Sequence, residues 1–359
     1  MSAHARTARV PDGERERGIG SADGAILAAA LAGSAILVLL RPRPWGAPRG
    51  RSRDAGGSAG PRYQESRFGT AQRGVAERAY PVAVPESRNE ALDRSAVTRR
   101  LSWGAAALSF SVLADSAAEH YRAGFYNRAM YVAPIVSTLT LLASVSMARS
   151  GGRPHARLFG AASLAGLVGT GFHTYNTSRR IGGWTWENLF YGAPIAAPLG
   201  LTAAGLLGLA ASHIGSVPDE RPPLLLGFPA GRVLAAGVAA GLLGTAAEAG
   251  VLHFRGAYHR PAMYLPVTVP PLAASALAVT ALHPTPGRRR LARWLLRLTA
   301  AAGVAGVGFH AHGIARSMGG WRNWRQNLLS GPPLPAPPSF TGMALAGLGG
   351  LTLLEGEAG

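Results

Sequence analysis

Cysteine is absent from the 359-residue chain, and so is lysine: all 36 basic residues are arginine. Without cysteine there is no disulfide framework, thiolate metal site, iron–sulfur cluster or covalently attached c-type haem. Charge is scarce too. Charged residues make up 15% of the chain, against about a quarter in an ordinary soluble domain. No phosphate loop and no nucleophile constellation is found, which leaves soluble hydrolases and nucleotide-binding enzymes without support. Arginine in place of lysine, with abundant Ala and Gly, fits a GC-rich bacterial genome and carries no mechanistic weight.

What the chain does have is apolar sequence, 48% of its residues. About 20 mostly apolar residues span the hydrocarbon core as a helix. Nine stretches qualify, near 24–40, 103–121, 130–148, 157–175, 192–213, 233–254, 262–283, 293–312 and 335–354. The first follows a tail, 1–23, and lacks a small-x-small cleavage site, so it reads as an uncleaved leading span. Pro134, Pro266, Pro270 and Pro271 fall inside later spans, where neighbouring groups can satisfy the freed carbonyls. The expected fold is an all-α integral membrane protein of about nine transmembrane helices.

Charge is unevenly placed. Residues 41–100 carry arginines from Arg41 to Arg100 among Gly, Ser, Pro and acids, with no apolar period. This reads as a basic disordered segment on the cytoplasmic side, attracted to anionic lipid heads. No aromatic interleaving or binding motif accompanies the arginines, so no nucleic-acid partner is expected.

The chain repeats itself. HYRAGFYNRAMYVAPIV from His120 aligns without a gap on HFRGAYHRPAMYLPVTV from His253. Arg122 meets Arg255, Met130 meets Met263, Tyr131 meets Tyr264, and upstream Asp115 meets Glu248. GLVGTGFHTYNTSRRIGGW likewise aligns on GVAGVGFHAHGIARSMGGW, so that Gly166, Gly169 and His173 meet Gly303, Gly306 and His310. Asn188 and Gly192 then meet Asn327 and Gly331 after a two-residue insertion. Residues 101–214 and 233–354 therefore read as two tandem copies of a four-helix unit, preceded by one extra helix. Four is an even number, so the copies have the same orientation, related by an axis along the membrane normal. A weaker sub-repeat, Tyr-x-Ala-Pro-Ile, follows His120 at Tyr131 and His173 at Tyr191.

In that topology His120, His173, His253 and His310 end the odd-numbered helices and share one depth. Arginine bias decides which face they occupy. The loops with Arg149, Arg153, Arg157, Arg221, Arg232 and Arg288–Arg290, together with the 41–100 segment, read as cytoplasmic. The histidines then face the periplasm of a multi-pass protein in the bacterial inner membrane.

Ionisable residues inside spans are costly and usually functional. Gly166 and Gly169 lie on the helix face of His173, and Gly303 and Gly306 on that of His310. A histidine beside a strip of glycine suits a flat ligand; the same strip also suits close helix packing. The arrangement resembles membrane b-type cytochromes in design, where parallel helices supply axial imidazoles to haem. That likeness implies four histidines as haem-iron ligands, most simply His120 with His173 and His253 with His310, with cross-pairing open. Arg122 and Arg255 would pair with propionates and would disfavour a bare four-histidine metal site by repulsion.

Asp115, Glu119 and Glu248 are candidates for handling quinol protons. Trp184, Trp186, Trp321 and Trp324 belong to an interfacial belt, and 179–189 and 316–328 are expected to cover the histidine end. The expected function is a haem b electron-transfer subunit, without substrate chemistry of its own, between a periplasmic redox protein or dehydrogenase subunit and membrane quinone. The competing readings are a transporter or channel with a histidine-lined site at the repeat interface, and a non-haem metal-binding or scaffold protein. No catalytic residue is assigned.

Overall fold

The computed structural model describes residues 93–150, 155–218 and 221–357. The leading segment 24–40, and the basic segment 41–100 up to residue 92, lie outside the described residues. About 80% of what is described is helical. Four helices are long and apolar enough to cross a membrane: Arg128–Ser150, counting its first 3-10 turn, Ala230–Arg255, Pro261–Leu282 with its 3-10 turn, and Pro286–Arg316. Their outward faces carry large exposed apolar side chains, such as Leu139, Leu142, Trp294 and Leu298. That is the surface a lipid bilayer covers, and the chain is a multi-pass membrane protein.

Helix α1 spans Arg94–Arg122, α2 Val132–Ser150, α3 Ala156–Ser178, α4 Trp186–Tyr191 and α5 Leu199–Ile214. After a small hairpin (β1, Leu224–Leu225; β2, Phe228–Pro229) come α6 Ala230–Arg255, α7 Leu265–Leu282, α8 Pro286–Arg316, α9 Trp324–Ser330 and α10 Pro338–Gly356. The hairpin tip places Leu226 and Gly227 at positive φ, 52° and 80°, the twist that tight hairpins favour.

Helix boundaries follow local chemistry. Asp93 caps α1 by accepting from the Ala96 N–H at 3.0 Å. Thus Arg94–Arg100, the end of the expected disordered segment, form the first two turns of α1 instead. Thr285 caps α8 ahead of Pro286 at its first position. The paired prolines 270 and 271 sit inside a continuous α7. The expected span 192–213 is corrected: Pro194 and Pro198 belong to a non-helical stretch, and the helix starts only at Leu199. Proline lacks the donor and excludes the α conformation from the residue before it.

Packing forms two closed four-helix rings. In the first, α1 packs on α2, α2 on α3, α3 on α5 and α5 on α1; in the second, α6, α7, α8 and α10 do the same. The rings meet along α1 and α10, and one apolar core runs through both. Among the described residues no comparable contact joins α5 to α6. The α1–α10 seam is antiparallel and close. A Cβ on Gly104 would lie 2.8 Å from the Gly342 carbonyl oxygen, and one on Gly342 would lie 2.8 Å from that of Gly104. Further along, Ser111 donates to the Pro335 carbonyl at 2.6 Å and Arg100 donates to Thr352 Oγ1 at 2.7 Å.

Candidate histidine sites

His120 and His253 stand at the ends of α1 and α6 and are followed by the same turn. Gly124 and Phe125 have positive φ, as do Ala257 and Tyr258. The Phe125 N–H donates to the His120 carbonyl, and the Tyr258 N–H to that of His253. Phe125 then stacks on Tyr131 at 4.3 Å, and Tyr258 on Tyr264 at 4.7 Å. Each of these first rings also meets its histidine edge-on, Phe125 at 6.0 Å and Tyr258 at 6.1 Å. The chain is thereby folded back so that a main-chain carbonyl ten residues on reaches the imidazole. His120 Nδ1 lies 2.6 Å from the Met130 oxygen, and His253 Nδ1 lies 2.8 Å from that of Met263.

His173 and His310, on α3 and α8, reach the same arrangement by another route. Their Nδ1 atoms lie 2.8 Å from the Pro194 oxygen and 2.6 Å from the Pro333 oxygen. These carbonyls belong to the non-helical stretches before α5 and α10. What holds the stretches back is a double-glycine turn braced by an amide. Asn188 Nδ2 donates to the Ile181 and Gly183 carbonyls at 2.9 and 2.8 Å. Asn327 Nδ2 donates to those of Met318 and Gly320 at 3.2 and 2.8 Å.

A carbonyl oxygen only accepts, so in all four contacts Nδ1 carries the proton. In the neutral ring Nε2 is left with its lone pair. This is the tautomer of a histidine that ligates a metal through Nε2 while its other nitrogen is held by the backbone. All four imidazoles are half-buried. Within the second ring, His253 and His310 come from diagonal helices, with centroids 6.4 Å apart and planes at 72°. In the first, His120 and His173 lie within electrostatic reach of each other. The four therefore occur as two pairs, one per ring. Among the described residues no three His, Asp or Glu side chains group as a metal cage would require.

The glycines face elsewhere. A Cβ on Gly166 would fall 2.3 Å from Thr202 Oγ1, and one on Gly303 2.4 Å from Thr341 Oγ1. Gly169 and Gly306 meet Pro198 and Pro337. The glycine strip is filled by α5 and α10, so it seats helices and does not stand open beside the histidines. The arginines are engaged too. Arg122 pairs with Glu119 at 2.7 Å on the exposed surface, and Arg255 lies 5.1 Å over the ring of Phe190.

Arg255 belongs to the second ring and Phe190 to the short helix α4 of the first. The converse contact also exists: Arg325, in the first turn of α9, donates to the Tyr121 hydroxyl at 2.9 Å. Each short helix thus touches the histidine end of the other ring. Asp115 is within electrostatic reach of Glu119 on its own helix and of Glu248 across the rings. These cross-contacts, the four orienting carbonyls and the bracing asparagines are features of the histidine ends that sequence reasoning missed. Their only trace in the sequence is the paired recurrence of Ala-Met-Tyr, Asn and Gly-x-Pro.

No protein-family model matches the chain, and neither curated proteins nor solved structures yield a match.

Proposed function

We propose that the chain is a b-type haem-binding electron-transfer subunit of the bacterial inner membrane, built as two parallel four-helix units preceded by one further span, nine spans in all. The observation that carries this reading is the shared imidazole arrangement: four histidines in two pairs, each donating from Nδ1–H to a main-chain carbonyl and leaving the Nε2 lone pair free for a metal.

The donor set fits haem. Haem iron asks the protein for two axial ligands, and neutral imidazole is a common one. A tetrahedral zinc-type site asks for three or four. Two imidazoles on opposite sides of one metal place their centroids roughly 6 Å apart, given a metal–nitrogen bond of about 2 Å on each side. The spacing of His253 and His310 agrees. Haem would supply one-electron chemistry; the chain supplies ligands in a fixed tautomer and a bilayer that excludes water. Arg122 and Arg255, at the histidine ends, supply positive charge toward propionates. Asp115, Glu119 and Glu248 form the group best placed to accept protons from a quinol, since an oxidised quinol releases protons with its electrons. The histidine end would exchange electrons with a periplasmic redox protein.

The test is the ultraviolet–visible spectrum of detergent-purified protein expressed with ample haem and its native partners. A Soret band, with an α-band on reduction, is expected. A colourless protein containing no haem overturns the reading in favour of a transporter or scaffold.

A further inference from the structure

Helices α1 and α6 are matched by their following turns, by the carbonyl contacts of His120 and His253, and by sequence register. Their outer faces nevertheless differ in environment. On α1, Gly104, Ala107 and Ser111 are buried beneath α10. Their counterparts on α6, in the register that puts His120 on His253, are Gly237, Ala240 and Gly244. All three are exposed, and a Cβ on Gly237 or Gly244 would meet nothing within 4 Å. The outward faces of α2, α3 and α8 also carry large side chains, such as Leu142, Leu164 and Trp294, which suit acyl chains. A bare face of Gly and Ala is the kind that lets another helix approach closely.

The chain holds one apolar segment to cover it. In the α10 seam the small residues facing α1 are Gly342, Ala346 and Gly349, spaced i, i+4 and i+7. Residues 24–40, outside the described part, carry Ala25, Ala29 and Ala32 at the same spacing. As a helix that segment is about 26 Å long, close to the hydrocarbon core. Orientation agrees as well. Helix α10 runs antiparallel to α1. A segment antiparallel to α6 would end at residue 40 on the side where α6 begins. That is also where α1 begins, because Arg94 donates to the carbonyls of Val217 and Pro218 ahead of α6.

We infer that the leading segment 24–40 docks as a helix on the Gly237–Gly244 face of α6, as α10 docks on α1, and covers the outer side of the second ring.

The native absence of cysteine allows a direct test in membranes by oxidative crosslinking. The full-length variant Ala29→Cys with Gly237→Cys is compared with Ala29→Cys paired with Leu164→Cys, on the exposed face of α3. A protease site placed within 41–92 reports the bond: linked fragments stay together after cleavage and separate on reduction. The first pair is expected to link several-fold more than the second, and Gly237→Cys alone is expected to give no dimer. Dimer formation by Gly237→Cys alone would assign the face to a second copy of the chain. Equal or absent linking in both pairs would assign it to lipid. Either result overturns the inference, and neither depends on haem.

Discussion

His253 and His310 stand on diagonal helices of one ring with centroids 6.4 Å apart, each giving its Nδ1 proton to a carbonyl of the stretch that follows its own helix. The Met263 carbonyl belongs to the 3-10 turn that opens the Pro261–Leu282 span and the Pro333 carbonyl to the non-helical stretch before α10, so each imidazole is held from outside its own helix. If the two pairs bind independently, His173→Ala removes one haem and leaves the other with His253 and His310. Haem per protein is expected to fall by half, while the loop variant His155→Ala leaves it unchanged. Loss of both haems with folding intact would reject pairing within the rings.

How much of this was legible in the sequence depends on which atoms carry it. The histidines and the recurring sequence around them show themselves because side-chain identity recurs in register. The orienting partners do not, because a main-chain carbonyl has no residue type; Met130 and Pro194 are seen only once the chain is folded. The strip at Gly166 and Gly303 was visible as a strip, yet its occupant was not, since the sequence alone does not say which helix faces it. The start of α5 was hidden for a similar reason. The run after Gly192 is as apolar as a helix, and only the fold shows that the stretch holding Pro194 and Pro198 runs through bends and turns before the helix starts at Leu199.

The glycine seam predicts a contrast in stability between two positions on one helix. Gly303 lies against Thr341 and Pro337, whereas Gly308 has open space around it. Gly303→Leu must force α8 from α10, at a cost of about 1–3 kcal/mol or more. Gly308→Leu adds an apolar side chain to the lipid face and is expected to be near neutral. Thermal unfolding in detergent reads the difference; equal Tm values would refute the packing role.

Orientation follows from the arginine distribution. A reporter fused after Gly359 is expected to be cytoplasmic, on the side of the 288–290 cluster, and one inserted in the 123–127 turn is expected to be periplasmic. The reverse accessibility would put the histidine end in the cytoplasm and remove the periplasmic donor from the proposal.

Asp93, ahead of α1, supplies a pH-dependent term. Hydrogen bonds from Ser95 and from the Ala96 N–H hold its carboxyl below the usual value of 3.8. A depressed native pKa means that the anion stabilises the fold. That contribution is complete above the unfolded value, near pH 4, and is lost as pH falls through the native value. Asp93→Ala is expected to cost about 1 kcal/mol at neutral pH. The gap in Tm between wild type and variant should narrow on acidification below pH 4. A gap that stays constant to the lowest pH would show that the cap does not act through its charge.

Asn327 is the residue through which the surface turn and the histidine are joined. Its amide donates to the carbonyls of Met318 and Gly320, holding Gly319 and Gly320 at φ of 77° and 50°. Its own carbonyl accepts from the Gly331 N–H at 3.0 Å, two residues before the Pro333 oxygen that orients His310. Asn327→Ala removes both side-chain bonds, at about 0.5–1.5 kcal/mol each. The turn should loosen, and trypsin added from the periplasmic side should cut faster at Arg316 or Arg322. On the proposed function the effect reaches further, because a freed Pro333 carbonyl no longer fixes the His310 tautomer. Haem retention on dilution should weaken in the ring of His310 and persist in that of His173. In the His173→Ala background, which leaves only the His253–His310 site, the loss should be close to complete. Faster cleavage without any change in haem retention would show that the turn is structural alone and that the ring is held by α8 itself.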